Sequence, residues 1–90
     1  MASFYEDIEH DIAVEIELLA QLIYELRENR NAILKPYGVE DETLLLQQIQ
    51  SGAVDEHPAY EHYLSARILA DTRESVRETV AEYLKEASRK

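Results

Sequence analysis

Apolar residues recur every three or four positions through the first third of the chain, and no stretch alternates as a strand would. Phe4, Tyr5, Ile8, Ile12, Ile16, Leu19, Leu22, Ile23, Leu26 and Ile33 share one helical stripe about 120° wide. Ser3 followed by Glu6 has the spacing of a capping box, in which each side chain satisfies an orphan amide of the first turn. Pro36 disfavours helical backbone at Lys35. The pattern therefore predicts a first helix over 4–34, about 45 Å long. Val14 and Leu18 fall outside the stripe, one turn apart, and hint at a second contact surface.

All four Gly and Pro residues, at 36, 38, 52 and 58, punctuate the middle of the chain. Between them Leu44, Leu45, Leu46 and Ile49 predict a short helix over 40–51, opened by Glu40, Asp41 and Glu42 and ended by Gly52. Asp55-Glu56-His57-Pro58 leads into a third helix over 58–87, with Pro58 in its first turn, where a missing N–H is tolerated. In that helix Tyr60, Leu64, Ile68, Thr72, Val76, Val80 and Leu84 step by four. Such a row drifts about 40° per step, so one flat partner cannot cover all of it. Its early part is expected against the short helix, and its later part against the first helix or another chain. Leu69, Val76, Tyr83 and Ala87 make a straighter row.

These elements define one all-α domain over residues 1–90, an antiparallel hairpin of two long helices with a short connecting helix. A hairpin buries less than a compact domain of the same length. Pairing with a second copy into a bundle is the expected remedy, and a monomeric three-helix bundle is the alternative. With the helix ends aligned, Glu15 would reach Arg73 and Arg77 and Arg30 would face Glu61, as register-setting ion pairs; the alternative is that these side chains reach solvent along the stripe edge.

Charge changes the picture more than size does. Nineteen acids against nine bases give a net charge of -10, which opposes general nucleic-acid binding and anionic membrane surfaces. The hydrophobic fraction of 46% is too high for an acidic disordered tail. With no cysteine, thiol-ligated metal, disulfides and cysteine nucleophiles are excluded. The acidic N-terminus lacks the pattern of a signal peptide and no run approaches the about 20 apolar residues of a span, so a cytoplasmic protein is expected. Residues 1–33 carry eight acids and two bases, residues 34–57 five and one, and residues 58–90 six of each. No base precedes Arg27.

Candidate chemistry is sparse. Glu6, Asp7 and His10 have helical spacing for one metal ion, and His57, Glu61 and His62 cluster with Glu56 at the start of the third helix. The two clusters belong to opposite ends of a hairpin, so only a dimer could merge them. No Glu-x-x-His motif, phosphate loop or nucleophile–base spacing occurs, and a catalytic role and a bound cofactor are not expected. Tyr60 and Tyr63 are expected to pack on the short helix, an interface hot spot being the alternative. The reading that follows is a non-enzymatic interaction protein. Glu6, Asp7, Asp11 and Glu17, with Val14 and Leu18, would engage a basic protein, as neutralising antitoxins and immunity proteins do. A carboxylate and His metal-binding bundle of ferritin-like type, and a purely structural homo-oligomer, are the alternatives.

Overall fold

A computed structural model describes the backbone of residues 2–88 and the side chains of residues 10–87. Helix α1 (Ala2–Leu34) is followed by a 3-10 turn (Lys35–Tyr37), a short helix α2 (Glu42–Gln50) and a long helix α3 (Glu56–Ser88). The two long helices run antiparallel and pack along their length, giving an all-α hairpin of 65 × 18 × 16 Å with no strand among the described residues. The capping box of Ser3 and Glu6 lies outside the described side chains.

Local chemistry accounts for the boundaries. Pro36 converts the end of α1 into the 3-10 turn, and Gly38 closes that turn at φ 68°, its N–H donating to the Lys35 carbonyl at 3.0 Å. Asp41 caps α2, its Oδ1 accepting from the Leu44 N–H at 2.9 Å; its two acidic neighbours lack that position. At the other end the Gly52 and Ala53 N–H groups donate back to the carbonyls of Ile49 and Gln48, with Gly52 at φ 79°. That is a Schellman closure, and the left-handed backbone favours glycine. Helix α2 thus covers 42–50 rather than 40–51. His57 is non-helical (φ -105°, ψ 130°), so regular helix begins only at Pro58, as its ring requires.

The core sits at the connector end. Leu34, Leu45, Ala59, Tyr63 and Ala66 are buried together, with Ile33, Tyr37, Val39, Leu46, Ile49 and Val54 half-buried around them. Small Ala59 and Ala66 let the start of α3 approach Leu34 and Leu45, both under 2% exposed. Further along, Ile12, Ile16, Leu19, Ile23 and Leu26 line the α1 side of the seam, all half-buried. They alternate steps of four and three, the spacing of a coiled-coil seam. The four-residue row of α3 drifts as its period requires. Tyr60, Leu64 and Ile68 are exposed, whereas Val76 and Val80 are half-buried in the seam.

Two expected ion pairs are replaced. Arg30 does not meet Glu61. Its Nε and Nη2 both donate to Glu42 Oε2, at 2.8 and 2.5 Å, because the first turn of α2 folds over the seam at that height. Glu61 projects about 160° away from the buried stripe of α3 and bonds to His57 one turn back. Glu15 is exposed and pairs with neither Arg73 nor Arg77, since it lies at the solvent edge of the α1 stripe.

Arg73 instead lies in the seam, with Nε buried and without a hydrogen-bond partner. An unpaired buried N–H costs about 1–3 kcal/mol. Arg73→Leu is therefore expected to raise stability by about 1 kcal/mol, or about 4–8 °C in thermal melting followed by circular dichroism. A lower melting temperature would show that the guanidinium supports the seam.

Candidate functional site

The outward side of α1 carries the chain's most one-sided chemistry. Asp11, Glu15, Glu17 and Glu25 are all exposed, as is His10. Val14 and Leu18 lie among these acids, and Leu18 is 58% exposed. Helical geometry explains the exposure, because Val14 lies nearly opposite the seam and Leu18 about a third of a turn from it. The nearest basic groups in sequence, Arg27 and Arg30, are engaged elsewhere. Arg27 lies over the Tyr24 ring at 5.3 Å and 3.8 Å from Glu28, and Arg30 is held by Glu42. Among the described residues the acids at 11, 15 and 17 have no ion-pair partner. The side chains of Glu6 and Asp7, which belong to the same expected surface, lie outside the described residues.

A second group of polar side chains gathers at the connector end. The Tyr37 hydroxyl and His62 Nδ1 share a hydrogen bond of 2.5 Å with their rings edge to face, and His57 Nδ1 lies 3.1 Å from Glu61 Oε1. The two pairs do not merge. Glu61 and His62 are consecutive residues, so helical geometry separates their side chains by about 100° and sends them to different partners. Both histidines are exposed, and neither pair includes a third group that would complete a proton relay. Tyr60 and Tyr63 stack with centroids 5.9 Å apart; Tyr63 is in the core beside Leu45 of α2, as expected, while Tyr60 remains exposed.

No three His, Asp or Glu side chains converge on a metal-sized space among the described residues. The expected set of His57, Glu61 and His62 is divided as above, and the set of Glu6, Asp7 and His10 is described only at His10. An open cleft of about 420 Å³ lies at the connector, lined by Asn31, Lys35, Gly38, Val39 and Glu40. Its charged side chains are exposed at the rim, which suits solvent better than a dehydrated reaction centre. Among the described residues no helix is long and apolar enough to cross a membrane.

Sequence reasoning found the acidic surface from charge asymmetry alone. It missed the Tyr37–His62 pair, because nothing in the spacing of residues 25 apart shows that the 3-10 turn returns Tyr37 to the start of α3. No curated protein and no solved structure matches the chain. Residues 6–88 match the family described as Uncharacterized protein MJ0235, a span that includes all of α2 and nearly all of both long helices, and the chain belongs to that family.

Proposed function

We propose that this protein is a non-enzymatic, protein-binding helical hairpin whose acidic α1 surface engages a basic protein. The supporting observation is the exposed set of Asp11, Glu15 and Glu17, which have no ion-pair partner among the described residues, with apolar Val14 and Leu18 exposed among them. Carboxylates without internal partners remain available to an external cation. Leu18 beside them supplies the apolar contact that charge alone does not, since charged rims govern approach and specificity more than affinity. Masking a basic protein in the manner of a neutralising antitoxin is the specific form of this role that the charge favours.

The test is calorimetric binding at low and high salt to any basic protein encoded beside this chain. Binding is expected to weaken at least about tenfold when Glu6, Asp11 and Glu17 are together changed to Lys, and to weaken with added salt. A complex whose affinity is indifferent to both changes would overturn the role of this surface.

A further inference from the structure

The flank of α3 beside the seam carries no charge over five turns. From residue 65 to residue 83, Arg67, Asp71, Glu74, Arg77, Glu78 and Glu82 all fall in one arc of about 140°. Arg73 is the exception, and it lies in the seam. The complementary arc holds Ser65, Ile68, Thr72, Ser75 and Thr79, all exposed, with Ile68 at 64%. Its inner edge is the half-buried row of Leu69, Val76 and Tyr83. A solvated helix face in a chain with 31% charged residues is expected to carry charge. This one carries none.

The flank does not end at α3. In an antiparallel pair of right-handed helices, Leu22 of α1 borders the seam on the same side as this arc, with Leu18 further out, about a third of a turn from the seam. Leu22 is 37% exposed and Leu18 more so. On this side of the hairpin the uncharged surface is that of α3, because Asp11 and Glu15, both exposed, share the α1 side with Leu18 and Leu22.

The elongated shape leaves more than enough exposed surface for a partner. The accessible surface is 6674 Å², against about 5400 Å² for a compact monomer of 10.4 kDa. The radius of gyration is 18.5 Å, against about 12 Å for a compact chain of this length. The excess of about 1300 Å² exceeds the about 800 Å² that each partner buries in a standard interface. Electrostatics then selects among occupants. A strongly charged partner finds no counter-charge on the α3 arc itself, and a chain of net charge -10 is repelled by anionic membranes. A second copy presents the same uncharged flank, so the match is isologous. Residues 1–26 hold seven acids and no base. An antiparallel two-fold places those segments at opposite ends, whereas a parallel dimer would set them side by side.

We infer that a second copy of this chain packs antiparallel across the uncharged flank of α3, forming a four-helix dimer. Thr72 and Val76 lie near its two-fold axis, and Leu18 and Leu22 add to the apolar contact. The small hydroxyl side chains at 65, 72, 75 and 79 let the two α3 helices approach closely. The proposed basic-protein surface shares Leu18 with this contact, so the two compete at that residue, and the dimer is tested through α3 variants that the basic-protein surface does not include.

Light scattering across a concentration series is expected to give twice the chain mass of 10.4 kDa. Ile68→Lys and Thr72→Lys are each expected to weaken association at least about tenfold, by placing an unpaired charge in a buried contact, with helical content unchanged by circular dichroism. Ala81→Lys, on the opposite flank of α3, is expected to leave the mass at the dimer value. Because the chain has no cysteine, Thr72→Cys is expected to cross-link to its counterpart through a short bismaleimide. Ser65→Cys is not, its counterpart being about 27 Å away about an axis near residue 74. The cross-links decide the matter even if a lysine variant fails to fold. A monomer at every concentration, a dimer indifferent to Ile68→Lys, no cross-link in the Thr72→Cys variant, or a ready one in the Ser65→Cys variant would each overturn the arrangement.

Discussion

Leu45→Ala is expected to lower stability by about 2–5 kcal/mol, a fall in melting temperature of about 10–30 °C for a chain of this size. Leu45 is fully buried and is the only α2 residue in the core cluster, where it meets Leu34 and Tyr63. Its removal deletes apolar contacts on both long helices at once, and the surrounding residues cannot collapse into the space without shifting α2. Only five residues are buried in the described structure, so no second layer compensates. Wild type and variant are to be melted at one protein concentration, because self-association would otherwise shift the midpoint. A loss below about 1 kcal/mol would mean that α2 is not held as described.

The second large effect concerns the Arg30–Glu42 pair. Both groups are mostly shielded, with side chains 14% and 19% exposed, and both guanidinium contacts fall on one carboxylate oxygen. Glu42→Ala leaves a half-buried cation in an apolar seam and is expected to destabilise by about 1–3 kcal/mol. Arg30→Met alone strands the carboxylate, though Glu42, in the first turn of α2, still favours the helix N-terminus. The double variant is expected to be less destabilised than the sum of the single ones, with a coupling of about 0.5–3 kcal/mol in denaturant unfolding. Coupling indistinguishable from zero would reduce the pair to a surface contact.

Helical periodicity encodes some of these contacts and is silent on others. Ile12, Ile16, Leu19, Ile23 and Leu26 were legible because large aliphatic residues on a 3.6-residue period have only one way to share a partner. Pro36 and Gly52 were legible because their backbone chemistry acts within a residue or two. The start of α3 was misleading for the same reason. Its large residues Tyr60, Leu64 and Ile68 carry the apolar signal, yet the packed positions are Ala59, Tyr63 and Ala66. Alanine contributes little to a hydrophobic pattern and much to a close approach. The ion pairs failed because they depend on where α2 folds across the hairpin, and a helical wheel of two helices contains no third. The acidic side of α1 was legible from composition, while the uncharged flank of α3 needed the seam direction to distinguish it from the core.

The position of the buried cluster also predicts an order of assembly. Leu34, Leu45, Ala59 and Tyr63 are separated by short stretches of chain that the glycine-closed turns already bend back on themselves. Closing so short a loop costs about 1 kcal/mol less chain entropy than joining the distant termini. The bend is therefore the place where the two long helices are expected to meet first, with each further pair of turns closing on the one before.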